Sequence, residues 1–253
     1  MAKRPAALYL LAALSAAAGW LLPRAFQGLT LSFALTCLLA AAQEALMFGL
    51  PALLMLRALA PGEQPLRRLG QPGPYLSGLA MLCAVSYVLV GALLGALFYS
   101  LLSALGLTPD LPPAITPGSL GELALAALTI GGVTAFCEEL FFRAALPRLL
   151  GRRLGHKAVI TLCALLFAIL HFNLAGLPTL LLFALLMHRI VQRHGGLMLA
   201  ILFHWMYNFS ILVMNYAQTT PDLRMILLSS GLFVLTARLL LRGDRQEAAP
   251  RGP

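Results

Sequence analysis

Two neighbouring carboxylates, Glu138 and Glu139, lie in an apolar stretch of the sequence, and Arg143 follows four residues after the second one. On a helix, Glu139 and Arg143 share one face within reach of an ion pair, whereas Glu138 points about 100° away. An ionisable side chain in such a stretch is costly and usually has a partner or a task. The pattern predicts that Arg143 neutralises Glu139 and that Glu138 is free to act as a general base.

Two further patterns supply imidazole and amide groups at helical spacing. Phe167 precedes His171 by four residues, which places both on one face of a helix. His204 precedes Asn208 by the same spacing. Two histidines, a carboxylate and an amide can together activate water and stabilise charge on a carbonyl oxygen. This set of groups is sufficient to hydrolyse a peptide bond.

The elements that must position these groups are apolar runs of about 20 residues, the length with which a helix crosses a hydrocarbon layer. Of the 253 residues, 60% are hydrophobic and 11% are charged, too few polar side chains to cover a water-soluble protein. The sequence therefore predicts an all-α, polytopic transmembrane helix bundle with the active site inside it. We place eight spans at 6–22, 29–56, 75–105, 120–147, 158–173, 177–191, 196–217 and 223–241.

The net charge of +9 is placed asymmetrically around these spans. Of the 18 lysine and arginine residues, only Arg24 and Arg224 flank the side opposite to the N-terminus, and Arg143 lies inside a span. The positive-inside rule then predicts that both termini are cytoplasmic. No basic surface interleaved with aromatic residues remains, which argues against a nucleic-acid partner. The predicted cytoplasmic flanks carry Lys3, Arg4, Arg57, Arg67, Arg68, Arg148, Arg152, Arg153, Lys157, Arg189, Arg193, Arg238, Arg242, Arg245 and Arg251.

The predicted spans also set the depth of the polar groups. At about 1.5 Å per residue, Glu138, His171 and His204 each lie roughly 15–21 Å from the cytoplasmic flank. The three side chains are therefore expected in one layer of the bundle.

The chain reads as one domain, 1–253, without internal repeats and with a polar tail at 243–253. Lys3 and Arg4 before an apolar stretch are typical of a secretory signal, but we expect an uncleaved first helix. Glu44, beside Gln43, is a second acid within a span, and we interpret it as forming a hydrogen bond between helices.

The three patterns, on successive apolar helices, resemble the motifs Glu-Glu-x-x-x-Arg, Phe-x-x-x-His and His-x-x-x-Asn of a known family. This is the CAAX protease and bacteriocin-processing (Abi) family of intramembrane endopeptidases, which includes the CAAX prenyl endopeptidase II type. The resemblance covers residues 118–217, where Glu138 and His171, and then His171 and His204, are each 33 residues apart.

The resemblance implies a role for each residue of the motifs. Glu138, helped by His171, would activate the attacking water. Glu139 and Arg143 would hold the arrangement of the helices. His204 and Asn208 would stabilise the developing oxyanion, a role that suits imidazole and amide N–H donors.

A metal is a separate question, because the family is described both as metalloproteases and as metal-independent glutamate proteases. Glu138, His171 and His204, with water as a fourth ligand, are a sufficient zinc set. The sequence lacks the zinc-protease pattern His-Glu-x-x-His. We therefore favour a metal-free glutamate mechanism.

The resemblance allows three substrates: prenylated C-terminal tails, bacteriocin leader peptides, and C-terminal sorting tails with a hydrophobic anchor. A composition rich in Ala, Leu and Arg with two lysines indicates a bacterial inner membrane, where prenylation is unusual, so peptide or anchor processing ranks first. The expected partners are membrane lipid and a membrane-associated protein or peptide. The alternatives are a proton-coupled small transporter, disfavoured by the lack of repeated halves, and a non-catalytic membrane scaffold or immunity protein.

Overall fold

The computed structural model describes residues 4–60, 64, 69–111 and 113–242. Over these residues the chain is all-helical, which confirms the predicted helix bundle. Lys3, Arg67, Arg68, Arg245, Arg251 and the tail 243–253 lie outside the described residues. The helices are α1 (Arg4–Ala25), α2 (Phe33–Leu59), α3 (Pro74–Ala104), α4 (Leu120–Leu150), α5 (His156–Leu170), α6 (Leu177–His194), α7 (Met198–Tyr216) and α8 (Leu223–Arg242).

Six of these helices, all except α5 and α6, are long and apolar enough to cross a membrane. Helix α5 is apolar but has 15 residues, so it extends about 22 Å, less than a hydrocarbon layer of roughly 30 Å. Helix α6 carries Arg193 and His194 in its last turn. The two helices pack against each other as a hairpin, and they occupy the places of the fifth and sixth predicted spans.

Helix α4 lies at the centre of the bundle, in contact with α2, α5, α6 and α7. Helix α3 packs against α7 and α8, and α1 packs against α2. The largest fully buried side chains include four aromatic residues, Tyr87, Phe142, Phe167 and Phe203. The polar residues of α4 are thus surrounded by helices on most sides.

Three short segments within α2 and α4 are π-helical: Ala45–Gly49, Ala127–Val133 and Leu140–Ala145. A π turn inserts one extra residue into the helix, so it changes the face on which later side chains lie, and such turns are frequent at functional sites. In α4, two of them flank the α-helical segment Thr134–Glu139, which carries both glutamates. The π turns therefore decide which neighbours these two carboxylates meet.

Polar contacts join the helix ends that carry the basic residues. Arg152 Nη2 donates to the carbonyl of Leu59 at 3.2 Å, which ties the end of α4 to α2. Arg193 Nη2 donates to the carbonyl of Arg242 at 3.1 Å, which ties α6 to α8. These ends form the basic end of the bundle. That the basic end faces the cytoplasm stays a prediction.

Candidate active site

Glu139 is paired on both of its oxygens. Arg143 Nε lies 3.1 Å from Oε2, so the predicted ion pair is present. His204 Nδ1 donates to Oε1 at 2.8 Å, a contact between α7 and α4 that the sequence did not predict. Glu139 is fully buried and Arg143 is 6% exposed. The ion pair and the hydrogen bond together keep a charged carboxylate inside the bundle.

Phe167 lies between a cation and an imidazole. The guanidinium carbon of Arg143 is 4.5 Å from the centre of its ring, within the range of a cation–π contact. The His171 ring is 4.6 Å away, centre to centre. Phe167 therefore packs against His171, as its spacing predicts, and also against the guanidinium that neutralises Glu139.

His171 is placed by the end of α5. The helix ends at Leu170, three residues before the end of the predicted span, because Phe172 adopts a left-handed conformation with φ of 49°. Carbonyl groups in the last turn of a helix lack backbone N–H partners. The carbonyl of Phe167 accepts a hydrogen bond of 2.7 Å from His171 Nδ1 instead, which fixes the orientation of the ring.

Glu138 is buried, at 4% exposure, but it is not paired. Its Oε2 has no hydrogen-bond partner among the described residues. His171 Nε2 lies 3.9 Å from Oε1, and His204 Nε2 lies 3.8 Å from Oε2. These separations are too long for direct hydrogen bonds, and polar groups at such distances commonly share a water molecule.

The partners of the two histidines determine which ring nitrogens carry protons. A carbonyl oxygen only accepts, so His171 Nδ1 is the donor to Phe167. The Glu139 carboxylate likewise accepts from His204 Nδ1. In the neutral rings, both Nε2 atoms are then unprotonated and turn a lone pair towards Glu138. The groups around Glu138 are therefore acceptors, suited to a water molecule that donates protons.

Unprotonated Nε2 atoms held through Nδ1 are also what a metal ion requires, and here they lie farther from Glu138 than two ligands of one zinc ion lie from each other. Two ligands of one tetrahedral zinc ion lie about 3.4 Å apart, whereas Glu138 is 3.8–3.9 Å from each imidazole. Within the described part of the chain, no three His, Cys, Asp or Glu side chains are grouped so that they could hold a metal.

Helix α7 is fixed against the first π turn of α4 by two side chains. Trp205 Nε1 donates to the carbonyl of Ala127 at 3.0 Å. Asn208 Nδ2 donates to the carbonyl of Ile130 at 3.4 Å, one helical turn from His204. The amide of Asn208 is thus held one turn of α7 beyond His204, through a long hydrogen bond that leaves its second N–H group for another acceptor.

Two further residues complete the surroundings of the site. Phe183 of α6 makes an edge contact with the His204 ring at 4.8 Å between centres. The sequence around Phe183 contains no signal of this contact.

Glu44 of α2 interacts electrostatically with Glu138, and its Oε2 is buried with no hydrogen-bond partner in the described residues. The helix-bridging hydrogen bond expected for Glu44 is therefore not found at this atom, although its position in a span had identified it as unusual.

The side chains of the site differ in how far they are exposed. The side chain of His171 is 30% exposed, against 5% for Glu138 and 4% for His204. A separate cavity of about 350 Å³ at the basic end is lined by Arg143, His156, His188 and other residues, and Glu138 is not among them. Of the three side chains, His171 is thus the one most accessible from outside the bundle.

Residues 120–210, which contain all seven residues of the three motifs, match the family model described as type II CAAX prenyl endopeptidase Rce1-like. Over this range the chain is similar to the CAAX protease and bacteriocin-processing family, which supports the resemblance carried by its motifs. The matched range runs from the start of α4 into α7 and lies within the predicted motif core, 118–217. No curated protein and no solved structure gives a match. The family supports an intramembrane endopeptidase, and the apolar helices support a membrane location.

Proposed function

We propose that this protein is a CAAX-protease-like endopeptidase that hydrolyses a peptide bond in a membrane-associated protein or peptide, with Glu138 as the base that activates water. The observation that carries the proposal is the contrast within one turn of α4. Arg143 Nε and His204 Nδ1 lie 3.1 Å and 2.8 Å from the two oxygens of Glu139, whereas the imidazole nitrogens nearest to Glu138 stay at 3.8–3.9 Å. A buried, unpaired carboxylate faced by two imidazole nitrogens is a poor structural element and a suitable base.

In the proposed reaction, the water molecule lies beside Glu138 and His171 Nε2. Glu138 takes a proton from the water as its oxygen attacks the carbonyl carbon of the substrate, which becomes tetrahedral. That proton is then passed to the leaving amine as the C–N bond breaks, and the carboxylate is regenerated. His171, fixed through Phe167, orients the water by accepting its second hydrogen.

His204 and Asn208 are proposed to stabilise the oxyanion. Asn208 offers its free N–H group directly. His204 Nε2 is an acceptor while the ring is neutral, so it becomes a donor when the proton that Glu138 took from water passes to it across 3.8 Å, on the way to the leaving amine. The Glu139 carboxylate, bonded to Nδ1 at 2.8 Å, is placed to balance the positive charge that His204 then carries. Glu139 thus has a chemical as well as a structural part.

Each of these steps uses side chains of the protein alone, and none passes through a metal ion. The proposal therefore keeps the metal-free glutamate mechanism. It places the enzyme in a bacterial inner membrane with the basic end in the cytoplasm. Substrate approaches on the His171 side, and peptide or anchor processing is preferred over cleavage of prenylated tails.

The test compares protein termini by mass spectrometry in cells that express the wild type or Glu138→Gln at matched levels. We expect at least one terminus of the wild-type cells to be replaced by its uncut precursor in the variant. Glu122→Gln is the matched control, because Glu122 is a partly exposed acid in the first turn of the same helix, where its Oε2 accepts from Gly118 N–H; it should leave the termini as in the wild type. A deletion of the gene is complemented with each version of the protein. If Glu138→Gln restores the phenotype of the wild type and leaves the termini unchanged, the protein acts as a scaffold or a transporter.

A synthetic peptide that spans the junction found in this way then tests the substrate class with purified enzyme in liposomes. It is prepared with and without a farnesyl group on a cysteine near its C-terminus. Cleavage of the unmodified peptide supports the preferred class. Cleavage only of the farnesylated peptide would favour prenylated tails.

A further inference from the structure

Glu44 lies on α2 directly before the π turn Ala45–Gly49. This turn packs closely against the segment Thr134–Glu139 of α4. A Cβ atom added to Gly49 would lie 2.8 Å from Cys137 Sγ, closer than real Cβ atoms approach a neighbour. Because Cys137 directly precedes Glu138, the close contact brings the backbone of α2 to the layer in which Glu138 lies.

Helix α1 holds this π turn from the other side. Ser15 Oγ donates to the carbonyl of Leu46 at 2.7 Å. A Cβ atom on Gly19 would lie 2.6 Å from Met47 N, so only glycine allows the approach. Helices α1 and α2, which precede the range matched by the family model, therefore fix the position of Glu44.

The carboxyl groups of Glu44 and Glu138 interact electrostatically with each other, and both interact with the Cys137 thiol. Each carboxyl retains a buried Oε2 atom without a hydrogen-bond partner in the described residues. The other charged groups around Glu138 are Glu139, Arg143 and His204, which already pair with one another. Two carboxylates in one dry layer cannot both be ionised at low cost. A proton on one of the two carboxyl groups removes the repulsion between them. A water molecule shared by the two groups then provides a hydrogen bond for each Oε2 atom.

We propose that Glu44 is a positioning residue of the active site: as a neutral acid, it donates a hydrogen bond to the water that Glu138 activates. The water accepts from Glu44 and donates to Oε2 of Glu138. Glu44 keeps its proton throughout, so the balance of the hydrolysis is unchanged. This inference rests on the proposed function, and it gives α2 a part in the chemistry.

The experiment uses purified full-length enzyme in liposomes and the unmodified junction peptide, with kcat, KM and Tm measured for three variants. Glu44→Met removes the donor, and we expect kcat to fall by roughly ten- to a hundredfold with KM little changed, because the water loses its orientation. Its Tm should stay close to that of the wild type, since the side chain that is removed is bonded only through a water and methionine has a similar volume. Glu44→Gln supplies an N–H donor and should recover kcat to within a few-fold of the wild type. Gln43→Met, the matched control, removes the neighbouring polar side chain and should leave kcat unchanged.

Wild-type kcat in Glu44→Met would overturn the inference, as would a Glu44→Gln enzyme no better than Glu44→Met. A lower Tm or failure to fold in Glu44→Met would assign Glu44 to the structure and also overturn it. Glu138→Gln is measured alongside. If Glu138→Gln is active, the proposed function itself is wrong; if it is inactive while Glu44→Met is fully active, only the inference on Glu44 fails.

Discussion

Glu138 and Glu139 are neighbours in the sequence, but they lie in opposite surroundings. Glu139 is fully buried, with Arg143 and His204 on its two oxygens. Glu138 is nearly as buried, yet imidazole nitrogens stop 3.8–3.9 Å short of it and one oxygen has no partner. The first arrangement compensates a charge, and the second leaves room for water. The two regions show how one turn of helix can hold one acid with close partners on both oxygens and another acid without them.

Glu138→Gln has the largest expected effect on activity. Loss of a general base costs about 10²–10⁴ in rate, while the amide is isosteric and makes no new unpaired charge. We expect cleavage of the junction peptide to fall by that range, with Tm close to that of the wild type. A large drop in Tm would instead place Glu138 among the residues that hold the bundle together.

Glu139→Gln should mainly lower the stability of the folded protein, whereas Glu138→Gln mainly lowers the rate of cleavage. It leaves the Arg143 guanidinium buried without its counter-charge, which costs about 3–5 kcal/mol. Denaturation of the purified protein should show this loss. The double variant Glu139→Gln with Arg143→Met removes both charges and should recover much of the stability. If the single variant were as stable as the wild type, the contrast between the two glutamates would not hold.

Asn208→Ala tests the oxyanion role with a smaller expected loss. Removal of one oxyanion donor costs on the order of 10² in kcat, with little change in KM. Asn215→Ala is the matched control, because Asn215 also lies on α7 and donates to a backbone carbonyl, that of Ile115, at 3.0 Å. The control should lower Tm and leave kcat unchanged. Equal effects of the two variants on kcat would show that Asn208 only holds α7 in place.

Treatment with a chelator should have the smallest effect. Since the proposed steps use no metal, dialysis against EDTA should change kcat by less than about twofold, while a zinc hydrolase would lose its activity. Activity that disappears on chelation and returns with zinc would reject the metal-free mechanism. It would also mean that Glu138 and the two imidazoles approach each other more closely than they do here.

The helices themselves could be predicted from the sequence, because apolar runs of sufficient length have few other structures available. The pairing of Glu139 with Arg143 could be predicted as well, since it depends only on the spacing within one helix. The end of α5 could not, because the left-handed Phe172 breaks no pattern in the sequence.

Contacts between helices account for the rest of what the sequence did not predict. The bond from His204 to Glu139 joins residues 65 positions apart and depends on how α7 is rotated against α4. The nearness of Glu44 to Glu138 depends on the π turn after Glu44. A helical pattern in the sequence assumes a regular repeat, so it gives no sign of the extra residue in that turn.

The short length of α5 has a consequence for the lipid around the protein. A bilayer thins next to a helix that is shorter than its hydrocarbon layer, and α5, with 15 residues, ends at the residue before His171. The surface of the membrane opposite the basic end is therefore drawn inwards beside this helix. We expect such a depression to bring headgroup water, the second substrate of a hydrolase, to His171, the most exposed side chain of the cluster.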